Sequence, residues 1–237
     1  MKKPESTIEQ TIEIKYNRIL YRFSRESFEG TNASPVFAEV LFPDGREVIY
    51  PMWNQGKQRF RYLRRNGCST CALTCVLAAF ADPSLTPGKV LLSRRKLLTF
   101  SPRAVCKPIT IAAIILMLRQ HHLALDYIDG GSDDAVRSFI LTNAKAGIPV
   151  IATGTDIPSL HGANLANKAI HTFVIIGMKD DRTLITLDSS GYNDQRVKFV
   201  DIDSMVRGVL KSGIEYSLAN RKHFYAKGTG GGLVALK

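Results

Sequence analysis

No stretch of about 18 apolar residues occurs in the chain, so it offers no candidate spanning helix. The longest apolar run, Ile109 to Leu118, is broken at Thr110 and fits a buried helix. Cysteine is scarce and bunched: Cys68, Cys71 and Cys75 fall within eight residues and Cys106 stands apart, which is not the framework of a small disulfide-stapled fold. Acidic residues are outnumbered, 21 against 32 Lys and Arg, for a net charge of +11. Yet the basic clusters (Lys57, Arg59, Arg61, Arg64, Arg65; Arg94, Arg95, Lys96) come without a helix-turn-helix, zinc-finger or RNA-recognition signature. They read as a solvated face, and nucleic acid is not an expected partner. The opening MKKPESTIEQ lacks an apolar core after its lysines, so no secretory signal and a cytoplasmic location are expected. A hydrophobic content of 45% excludes a disordered chain, and no repeat is detectable.

What is present reads as a chain with two textures. Ile12 to Phe23 leans to strand, and Val36 to Tyr50 carries a hairpin signal around Pro43-Asp44-Gly45. Trp53 to Gly67 reads as a polar loop. Cys68 to Ala81 is small and apolar and predicts a buried helix, stopped at Asp82-Pro83. Further helices are predicted after Thr86-Pro87, from Ile109 to His121, and from Ser132-Asp133-Asp134 to Gly147. The remainder predicts strands: Pro149 to Thr153, a hairpin of Ile170–Gly177 and Thr183–Leu187, Arg196 to Val200, and His223 to Lys227, with a helix over Asp201 to Leu210. The expectation is an α+β fold, a helical lobe packed against an antiparallel β lobe. Residues 1–50 form an N-terminal β-rich extension, 51–227 the two-lobed domain, and 228–237 a flexible Gly-rich tail.

The chemistry centres on Cys68. It follows the turn pair Asn66-Gly67 and opens a helical run, where free N–H groups and the helix dipole favour a thiolate. Such a nucleophile needs a histidine, and the histidine an orienting group. His171 opens the apolar strand HTFVIIG, and Asp188 ends the strand that follows. If that hairpin turns on Asp180-Asp181, Asp188 is the diagonal neighbour of His171 on the same face; a shift by two residues puts them directly opposite. Gln55 or Gln58, in the loop before Cys68, could supply a side-chain donor to an oxyanion beside the Cys68 N–H. Cys71 and Cys75, at i+3 and i+7 from Cys68, are expected in the core.

The segments WNQGKQRF, NGCSTCALTCVLAAF, AIHTFVIIGM and LITLDSSG, from Trp53 to Gly191, resemble the bacterial C39-like cysteine peptidases of the papain-like superfamily. The order Gln, Cys, His, Asp is the papain-like order. The resemblance implies a papain-like fold and hydrolysis of a peptide or isopeptide bond, with Cys68 as nucleophile, His171 as general base and acid, Asp188 as its orienter and Gln55 in the oxyanion hole. It implies a peptide or protein substrate, no cofactor and no metal. The chain departs from the family pattern at Ser69-Thr70-Cys71 and at Ser189, which bears on substrate preference. Two other readings compete: a papain-like binding module for an acidic partner, and a thiol redox protein built on Cys68-Ser69-Thr70-Cys71. A zinc site is weaker, because three cysteines on one helix give poor tetrahedral geometry.

Overall fold

Residues 11–29, 35–97, 111–128, 132–154, 157, 171–189, 195–209 and 233–236 are described by the computed structural model of the chain. They form a mixed α+β fold with two antiparallel sheets. The first sheet takes its strands in chain order: β1 (Thr11–Tyr16), β2 (Ile19–Ser24), β3 (Val36–Leu41) and β4 (Glu47–Met52). Asn17 and Arg18 join β1 to β2 with φ of 47° and 63°, the left-handed pair of a tight hairpin turn. The turn between β3 and β4 follows the Pro43-Asp44-Gly45 signal. Gly45 adopts φ 84°, and Asp44 accepts the Arg46 N–H at 3.0 Å. Every second residue of β2 and β3 is buried, which gives the sheet one apolar face. A single helical turn, α1 (Glu26–Glu29), follows β2.

A helical stretch comes next: α2 (Arg61–Asn66), α3 (Cys68–Phe80), α4 (Pro87–Leu97) and α5 (Ile111–Gln120). The expected loop from Trp53 to Gly67 is therefore corrected. It holds a 3₁₀ turn, Gln55–Lys57, and then α2. One apolar side chain, the wholly buried Leu63, anchors α2, and a single such residue leaves no helical periodicity in the sequence. α3 buries ten of its 13 residues.

The second sheet contains β5 (Leu125–Ile128), β6 (Val150–Gly154), β7 (His171–Asp180), β8 (Thr183–Leu187), β9 (Val197–Asp201) and β10 (Leu233–Leu236), in the order β5-β10-β6-β7-β8-β9. Two helices accompany it, α6 (Asp133–Lys145) and α7 (Ile202–Gly208). Ser132 and Asp201 cap them, each accepting a backbone N–H three residues on. Alternation along the strands sends Ile151, Val174, Ile176, Ile185 and Val234 into a core shared with α3, α5 and the first sheet. Val150, Phe173, Ile175, Leu184 and Leu233 face a second core under α6 and α7. The sheet is thus covered on both faces.

Three expectations change. The tail expected to be flexible over 228–237 contains β10, a central strand pairing with both β5 and β6, because the LVAL segment fits a position buried on both sides. The N-terminal extension shares its core with α3 and the second sheet, and a boundary at residue 50 would cut β4. The β7–β8 hairpin turns on Asp181 and Arg182, with Asp180 paired to Thr183, and two irregularities then shift the register until Val174 meets Leu187. The expected strand His223–Lys227 lies outside the described residues. Among the described residues no helix is long and apolar enough to cross a membrane.

Candidate active site

Gly67 ends α2 and starts α3, so Cys68 is the first residue of the buried helix. Gly67 lies so close to the last turn of α2 that a Cβ on it would lie 2.3 Å from the Leu63 carbonyl oxygen. Glycine is required there by space, and it fixes where Cys68 stands. No side chain caps the N-terminus of α3. The Cys68 sulfur instead lies within hydrogen-bond reach of the His171 ring and of the Thr172 and Ser69 backbone.

α3 packs against β7, which brings the start of the helix to the start of the strand. His171 opens β7 with its side chain only 12% exposed, and its Nε2 meets Asp188 Oδ1 at 2.5 Å. Asp188 Oδ1 occupies Nε2, which leaves Nδ1 as the ring nitrogen for the thiol. The register of the hairpin at its upper end matches the diagonal arrangement of His171 and Asp188 expected for the sequence, reached through a different turn and two bulges.

The electrostatics of the three groups are coupled. Burial of Cys68 disfavours the thiolate, but the His171 contacts outweigh it and bring the thiol below its ordinary value. Burial of His171 works against its charge, and Asp188 and the thiol overcome it, so the imidazole is pushed up to about 10. Asp188 is held well below the usual carboxylate range; burial opposes this, and His171 and Lys198 prevail. The arrangement favours a thiolate–imidazolium pair over two neutral side chains.

Lys198 is the residue of the candidate site that sequence reasoning missed. It sits on β9, 4% exposed at its side chain, with Nζ hydrogen-bonded to Asp188 Oδ2. β9 pairs Lys198 with Thr186, two residues before Asp188, so a known β8–β9 register would have revealed it. The connection between the strands, DSSGYNDQR, carries several turn-forming residues but is too long for them to fix that register.

Gln55 is buried, and its backbone N–H donates to the Ser189 carbonyl at 2.8 Å. That bond ties the 3₁₀ turn to the residue after Asp188. The Gln55 Nε2 donates to the Arg64 carbonyl at 3.4 Å, four residues ahead of Cys68. Gln58 spends its amide on the Asn54 carbonyl at 2.9 Å. Cys71 and Cys75 are 2% and 3% exposed, and burial pushes both thiols well above the ordinary range, as expected of core residues. Cys106, His161 and His223 lie outside the described residues.

One cavity adjoins the site and a second lies beyond it, with Trp53 lining both. The first, of about 10 Å³, room for a single water molecule, is lined by Trp53, Cys71, Thr172, Asp188 and Ser189. The other, of about 340 Å³, opens at the surface beyond Trp53.

The chain matches no known family model, and no curated protein matches it.

Proposed function

We propose that the chain is a papain-like cysteine peptidase, cleaving a peptide or isopeptide bond through Cys68, His171 and Asp188. The observation that carries this reading is the relay from the half-buried, helix N-terminal Cys68 through the His171 ring to the buried Asp188 carboxylate, 2.5 Å from Nε2. A thiol at a helix start, in contact with an imidazole whose far nitrogen is held by a carboxylate, is the arrangement that acyl transfer requires.

The Cys68 thiolate attacks the substrate carbonyl carbon and forms a C–S bond. The Cys68 N–H and the second N–H of the Gln55 amide donate to the developing oxyanion. The imidazolium of His171 passes its proton to the leaving nitrogen as the C–N bond breaks. His171 then takes a proton from water, whose oxygen attacks the thioester. The carboxylic acid leaves, and the thiolate–imidazolium pair is restored. Asp188 keeps the ring oriented throughout and stabilises its charge.

The test is the rate of alkylation by iodoacetamide against pH, with modified residues mapped by mass spectrometry. Cys68 should react selectively below the ordinary thiol range, and this selectivity should vanish in His171→Ala. His171 is pushed up to about 10, so the pair should persist through neutral pH and lose its imidazolium only as pH rises through that value. An ordinary thiol profile at Cys68, unchanged in His171→Ala, would overturn the reading.

A further inference from the structure

We propose that the 340 Å³ cavity beside the Gln55 turn is a binding subsite for an acidic peptide segment with an apolar side chain. This rests on the peptidase reading and names its substrate class. The cavity lies at the small end of the range of ligand sites, about 300–1,000 Å³. Trp53 and Pro87, both buried, and the exposed Phe60 supply apolar walls. Lys57 and Arg59 line the same space, and both are exposed. Among the described residues no acidic one lines it. The sequence agrees: from residue 48 to 81 there is no Asp or Glu, while Lys57, Arg59, Arg61, Arg64 and Arg65 all fall within it. The salt bridges among the described residues leave Lys57 and Arg59 without a carboxylate partner.

The placement connects this cavity to the chemistry. Gln55 and Lys57 belong to one 3₁₀ turn. Trp53 is the shared wall, facing the small cavity beside Asp188 on one side and the surface cavity on the other. A peptide whose carbonyl lies between Cys68 and Gln55 would carry its flanking residues over Lys57 and Arg59. Two free cations above an apolar floor select a carboxylate next to an apolar side chain. An extended polyanion would need a longer cationic track than the two cations that line the cavity.

Trp53 is the sole tryptophan in the chain, so its fluorescence reports occupancy of this cavity directly. The experiment titrates full-length Cys68→Ala protein with acetyl-Glu-Leu-Glu-amide, acetyl-Gln-Leu-Gln-amide and acetyl-Lys-Leu-Lys-amide. The Glu peptide should give a saturable change and bind at least tenfold more tightly than the other two. Lys57→Glu with Arg59→Glu should weaken it at least tenfold, and Lys57→Arg with Arg59→Lys should restore most of the affinity. Equal binding of the three peptides, indifference to the charge reversal, or tighter binding of a ten-nucleotide oligothymidylate would each overturn the proposal. Failure here with selective Cys68 alkylation intact would remove the subsite and leave the peptidase reading. Peptide binding with an inert Cys68 would support the cavity as an acidic-peptide site and remove the peptidase.

Discussion

The candidate site holds four ionisable side chains in a row: Cys68, His171, Asp188 and Lys198, each linked to the next. With a thiolate and an imidazolium at one end and a carboxylate and an ammonium at the other, the buried charges alternate and cancel. Burial of charge is tolerable only when it is paired, so the last member matters as much as the first. Asp188 has no exposed side-chain surface. Lys198→Met should leave its carboxylate short of one partner and destabilise the fold by about 3 kcal/mol, read from the urea midpoint. Asp188→Asn combined with Lys198→Met should cost clearly less than the two single changes added together, because the uncompensated charge is gone. Additive losses would mean that the pair does not act as a unit. Cys68, His171 and Asp188 were legible because each sits at the end of a strongly patterned element. Lys198 was not, since a lysine flanked by apolar residues in a strand reads as a solvent-facing position, and only the pairing with Thr186 turns it inward toward Asp188.

At the level of elements, local signals were reliable where turn or cap chemistry punctuates the chain, as at Gly45, Gly67 and Ser132. They failed where an element depends on distant partners. The last strand illustrates this. The glycines before Leu233 dominate the composition, but Leu233 and Ala235 fill one core while Val234 and Leu236 fill the other. Four residues show no length or periodicity of their own, and their strand exists because β5 and β6 flank it. Burying a Val or Leu side chain is worth about 1.5–3 kcal/mol. Three of them therefore approach the whole stability of an ordinary domain, about 5–15 kcal/mol. Deleting residues 233–237 also strips β5 of its one ladder and β6 of the ladder opposite β7. The truncated chain should show no cooperative urea transition by far-UV circular dichroism. A truncated protein with a wild-type midpoint would mean that β10 contributes nothing to the sheet.

For the whole molecule, the layers explain why a nucleophile can be held so exactingly at a helix end. α3 lies against β4 on one side and β7 on the other, so both sheets grip the helix that presents Cys68. The first sheet also reaches the second directly. Tyr21 of β2 packs so tightly on Gly177 of β7 that a Cβ there would come within 2.1 Å of the tyrosine hydroxyl oxygen. Gly177 stands at one of the register shifts of the hairpin that carries His171 and leads to Asp188. Strain introduced at this contact should therefore be felt by both sheets. Gly177→Ala should lower stability by about 1–3 kcal/mol, the range for overpacking a filled core. Tyr21→Leu should relieve part of that cost when combined with it, because the ring that collides is removed. The urea midpoint should fall equally whether followed by Trp53 fluorescence, which reports the end of the first sheet beside the candidate site, or by far-UV circular dichroism, which reports all of the helices and strands. Two midpoints that separate would show the sheets to be independent folding units. A shared shift would mean that the N-terminal strands and the candidate catalytic hairpin stand or fall together.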